Sequence, residues 1–125
     1  MTRLADMRER DPTNAAWAIA WARHYLRDTS EPFVFEDAEL FAELEAHAMV
    51  DEGEAFYRPH ATAAFMLRAD PERAVSESLL GVNVTHRDVG EVATAITRSG
   101  AWIDDLIEAE VGSRPGAGRA LRAVF

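Results

Sequence analysis

The stretch from Phe33 to Arg68, FVFEDAELFAELEAHAMVDEGEAFYRPHATAAFMLR, constrains the fold more than any other, because its apolar residues recur at the spacing of a helix surface. Leu40, Phe41, Leu44 and Ala48 make one stripe; Tyr57, Ala61, Ala64, Phe65 and Arg68 make a second. A loop around Asp51, Glu52 and Gly53 separates them. The spacing predicts helices over residues 36–50 and 54–69, the second with Pro59 in its first turn, where the missing backbone donor costs nothing. Phe33-Val34-Phe35 has no partner strand of comparable length, so it reads as an extended connector whose Phe35 packs back on the next helix.

Helical punctuation continues on both sides. Asp11-Pro12 supplies a capping acceptor followed by proline and predicts a helix over residues 12–28, with Trp17, Trp21 and Tyr25 on one side and Ile19, Ala22 and Leu26 on another. Asp70-Pro71 repeats the signal and opens a short helix over residues 72–80, ended by Gly81. Val82-Asn83-Val84 is an extended link. Thr85-His86-Arg87-Asp88 then carries a capping box. From there Val89, Val92, Ala93, Ile96, Gly100, Ile103, Leu106 and Ile107 keep one stripe, which predicts a single long helix over residues 87–111, with Gly100 marking close helix contact. Residues 1–10 show no sustained period, and SRPGAGRALRAVF has too much Gly and Pro for structure of its own. The expected fold is all-α: a compact bundle of four main helices plus one short helix over residues 1–112, with an extended Arg/Gly tail over 113–125.

At 125 residues the chain fits one domain with one core. No apolar run approaches the roughly 20 residues of a membrane span, and the first residues lack the apolar core of a signal peptide, so neither a membrane nor export is expected. Cysteine is absent, which excludes disulfides, thiolate zinc sites and cysteine nucleophiles. The net charge of −9 is unevenly spread: Asp28 to Glu54 holds ten acidic residues and no arginine, whereas Ser113 to Phe125 holds Arg114, Arg119 and Arg122 and no acid. An acidic face of that kind repels phosphates, so specific nucleic-acid binding is not expected.

Chemistry-bearing patterns are sparse. Glu43-x-x-x-His47 is one residue too long for the Glu-x-x-His of di-iron bundles and occurs once, so no metal or other cofactor is expected. His24 and His47 read as polar-edge residues of their helices, and His60 and His86 as loop or first-turn residues. Ser76 and Ser78 have no His nearby in sequence, and the Gly-rich tail lacks the Lys and helix of a phosphate loop, so the chain is not read as an enzyme. Asp104, Asp105, Glu108 and Glu110 read as a solvated helix face, or as one that receives an Arg-rich surface of a neighbour. In the tail, Leu121, Val124 and Phe125 have the character of anchors that order on a partner.

The succession of FEDAELFAELEAHA, FYRPHATAAFMLRAD, the Val82-Asn83-Val84 link and WIDDLIEAE before an Arg and Gly tail resembles the helical head-to-tail adaptor (connector) proteins of tailed bacteriophages and gene-transfer particles. The resemblance covers residues 35–125 and leaves the Trp-rich first helix without a counterpart. It implies a structural virion protein of the neck, made in the host cytoplasm. Such a protein forms a homo-oligomeric ring, usually of twelve copies, under the portal protein and joins capsid to tail with a tail-completion or stopper protein. Carried over, Arg114, Arg119, Leu121, Arg122, Val124 and Phe125 become portal-contact candidates, and Glu43, Glu45, Asp51 and Glu52 become candidates for the subunit interface or an acidic channel wall. The alternative from another class is a small acidic binding or inhibitor protein that mimics nucleic acid through residues 28–54.

Overall fold

The computed structural model describes residues 10–77, 79–81 and 84–113. Expectations for residues 1–9, for Val82 and Asn83, and for residues 114–125, including every portal-contact candidate, lie outside these. The described chain is all-α apart from one small hairpin: α1 (Ala15–Leu26), α2 (Asp37–Ala46), β1 (Met49–Asp51), β2 (Glu54–Phe56), α3 (Pro59–Ala69), α4 (Pro71–Ser76), α5 (His86–Ser99) and α6 (Ala101–Gly112).

Helix α3 is the centre, packed most extensively against α5 and α1. Its small residues permit this: Ala63, Ala64, Thr62 and Leu67 are essentially inaccessible, as are Trp17, Ala18 and Leu26 of α1 and Val89 and Ala93 of α5. Each fully buried leucine-sized side chain in such a core contributes about 2 kcal/mol relative to exposure. Phe35 and Leu40, at the positions of a hydrophobic staple around the Glu36 cap, are both buried in this core.

Four boundaries differ from expectation. The short helix expected over residues 72–80 stops at Ser76, capped at Glu77, whose N–H donates to Arg73 O. The Asp11-Pro12 signal makes a turn rather than a helix start, because Asp11 accepts from Thr13 N and Asn14 N; Asn14 is the cap and bonds Trp17 N at 3.1 Å. The predicted end of the second helix and start of the third are instead a hairpin, with Met49 opposite Phe56 and Asp51 opposite Glu54. Glu52 and Gly53 both have positive φ, 51° and 80°, which is the backbone of the tight turn that matches strand twist. The long helix predicted over 87–111 is two helices, α5 and α6, broken at Gly100, so the bundle has five main helices plus the short α4 rather than four. Its start is as expected: Thr85 Oγ1 accepts from Asp88 N and the Asp88 carboxylate accepts from Thr85 N at 2.9 Å.

Candidate functional site

Pro59 opens α3 and sets Arg58 at its cap and His60 in its first turn. Opposite, the break at Gly100 starts α6 and places Asp104 in the first turn of that helix. The two ends meet: Arg58 Nε donates to Asp104 Oδ1 at 2.8 Å, and His60 Nε2 lies 3.0 Å from Asp104 Oδ2. His60 is fully buried, and its Nδ1, together with Trp17 Nε1, has no hydrogen-bond partner among the described residues. Burial alone would raise the Asp104 pKa, but the bonds from His60 and Arg58 outweigh it and bring the carboxyl down to about 2. Asp104 is thus a locked anion, and sequence reading, which saw a solvated helix face, missed it. Asp105, Glu108 and Glu110 do lie exposed as expected. His60 is a first-turn residue as read, but a buried one, and a fully enclosed imidazole with one nitrogen held by a carboxylate serves as a clasp between α3 and α6 rather than as an acid or base for a diffusing substrate. The available signal was Gly100 itself, since glycine on an apolar stripe marks close approach.

Beside the clasp is an aromatic layer. Trp102 of α6 meets Trp17 and Trp21 of α1 edge-on, at 6.4 and 5.2 Å between centroids, and Arg10 lies 5.6 Å over its ring. Tyr25 stacks on Trp21, and burial pushes its phenol above the usual tyrosine value.

The acidic stretch 28–54 has no cation in sequence, but the fold carries two into it. Arg23, buried on α1, pairs with Asp28 at 3.0 Å and Asp37 at 2.6 Å and lies 3.8 Å over Phe33. Asp28, itself buried, accepts from Val34 N and Phe35 N at 2.9 Å each, so this pair shapes the connector. From the other side Arg73 of α4 grips both oxygens of Glu39 at 2.7 and 3.1 Å, donates to Val34 O and lies over Phe35. Its guanidinium pKa is pushed up, first by the bond to Glu39.

Among the interface candidates, Glu43 is 3.5 Å from His47 and Glu45 is exposed. Glu52 sits exposed on the hairpin turn. Asp51 is paired in the hairpin and only 8% exposed. The structure therefore does not gather the four onto one open face. Next to His47 runs a groove of about 750 Å3 between α2, α3 and α5, floored by alanines and holding Phe65, which is 44% exposed and 4.2 Å from the His47 ring.

Among the described residues no three His, Asp or Glu side chains are grouped to hold a metal ion, and no helix is long and apolar enough to cross a membrane. No known protein family, curated protein or solved structure matches this chain.

Proposed function

We propose that the chain is a non-catalytic assembly protein of the neck of a tailed phage or related particle, an adaptor that forms a ring beneath a portal and joins it to the tail. The observation that carries this reading is the separation of charge. The described residues hold eight arginines against twenty carboxylates, whereas residues 114–125 hold three arginines, three large apolar side chains and no acid. Arg23, Arg58 and Arg73 are already engaged within the fold, so the body is an acidic unit and the end segment is its cationic complement. Such patterning steers association and fixes register. In this reading the end segment docks on the portal through Arg114, Arg119, Arg122, Leu121, Val124 and Phe125, while exposed Glu45 and Glu52 belong to the acidic exterior, past which DNA slides without adhering.

The nucleic-acid mimic is less well supported, because Asp37 and Glu39, in the middle of the acidic stretch, face Arg23 and Arg73 rather than forming an uninterrupted acidic array. The experiment is reconstitution with a portal followed by particle imaging. The whole chain joins the portal as a ring, and a chain ending at Ser113 folds but does not join. Unimpaired joining by the shortened chain would sink the role given to the end segment.

A further inference from the structure

The groove beside α3 differs from the rest of the surface. Glu43, at its edge, lies 3.5 Å from His47, and Arg58, at one end, is held by Asp104. Arg68, at the other end, bonds Thr94 Oγ1 at 3.2 Å and pairs with no carboxylate among the described residues. Between the two arginines stand exposed Phe65 and the small side chains of Ala61 and Ala64. The groove is therefore mainly apolar, and Arg68 is its one arginine not matched by a carboxylate among the described residues, so the charge that end fits is the charge this protein carries in excess.

On α2, Asp37 and Glu39 already hold Arg23 and Arg73 and Glu43 lies against His47, which leaves Glu45 as its single exposed acid without an ion pair among the described residues. On α6 the case is different. Ala101, Asp105, Glu108, Ala109 and Gly112 share one exposed helix face, and Asp105 and Glu108 make no ion pair among the described residues. Small residues on that face let the helix backbone come close to Phe65, and the two acids lie alongside. We propose that the groove of one copy receives α6 of a second copy, with Arg68 against the Asp105 and Glu108 edge and Phe65 against Ala109. Groove and helix face are different patches, so the contact runs head to tail and closes a ring where the rotation permits. From the proposed function this takes only that copies of the chain associate.

The absence of cysteine makes the test direct. Ala61→Cys and Ala109→Cys proteins, mixed and treated with a short thiol cross-linker, give mixed dimers several-fold above a control pair in which exposed Ala16→Cys replaces Ala61→Cys; equal yields overturn the inference. Independently, Arg68→Glu and Glu108→Arg, both at exposed positions, each weaken self-association in sedimentation about tenfold. Mixing the two restores it, because each mismatch then meets its complement; a mixture no better than either variant alone also overturns it. Portal joining without the cross-link removes this contact and leaves the proposed function standing, whereas the cross-link without portal joining does the reverse.

Discussion

His60 fills the space that a side chain on Gly100 would need: a Cβ there would lie 2.1 Å from His60 Cβ and 2.3 Å from its Cγ. These are atoms near the backbone, not the far end of a flexible chain, so the neighbour has little room to give. Gly100 has φ −89°, which any residue adopts, and the constraint is therefore steric alone. Gly100→Ala is expected to destabilise the fold by about 2–3 kcal/mol, measured as a lower urea midpoint with unchanged slope. Combining it with His60→Gly, which removes both the Cβ and the ring, should recover part of that loss relative to the sum of the single changes. Strict additivity would mean that the two positions do not meet in solution.

Asp104 makes stability depend on acid. Its folded-state pKa, about 2, lies below the ordinary 3.8, so its contribution is fully present above the unfolded value and is lost as the pH falls from near 4 toward 2. Allowing for solvent screening at a carboxylate one-third exposed, the contribution is roughly 1–2 kcal/mol. Denaturation curves of the natural chain and of Asp104→Asn should differ at pH 6 and converge as pH approaches 2. A gap constant across that range would contradict the ion-pair account.

Arg23 separates a buried charge pair from an exposed one within a single side chain. Arg23→Met strands Asp28, whose side chain is 2% exposed, and is expected to cost about 3–5 kcal/mol. Asp37→Asn removes the other partner, 74% exposed, and should cost less than about 1 kcal/mol. Thermal melts of the two variants test the contrast, and similar losses would contradict it.

Gly53 stands at φ 80° with nothing within 4 Å of where a Cβ would be, so a substitution there meets only backbone strain. Gly53→Ala is expected to lose about 1–2 kcal/mol and Gly53→Asn clearly less, because Asn tolerates the left-handed region. Chemical denaturation of the pair distinguishes strain from loss of contact, which would penalise both alike.

Helices were legible in this sequence where the cue was local. The Thr85 to Asp88 capping box, the Asp70 cap of α4 and the apolar stripe of α2 all depend on residues within a turn or two of one another, whereas the stripe expected on α3 was misplaced: Phe65 and Arg68 lie exposed, and Thr62, Ala63, Met66 and Leu67 take the core. The hairpin escaped because its strands are three residues each, too short for alternation to compete with a helical pattern running through them. The break at Gly100 escaped because the stripe continues across it, and the approach of His60, forty residues earlier, that leaves room only for glycine there is not something periodicity can register. Asp104 was misplaced for the same reason, its partners being 44 and 46 residues away. The acidic stretch was counted correctly as sequence, but Arg23 and Arg73, which enter it from flanking helices, show that charge along a chain is not charge across a surface.

The division of α5 from α6 also decides how a load would travel. The last turn of α6 ends at Gly112, whereas the helix is clasped near its start, at Asp104, about 12 Å away along its axis. A pull on the chain end would reach Val111 first, then Ile107, both buried, then the bonds of Asp104 to Arg58 and His60, and last the buried Ile103. Tension on the chain end would thus be taken up by two buried apolar contacts, a turn apart, before it reached the ionic clasp and, behind it, the central helix α3.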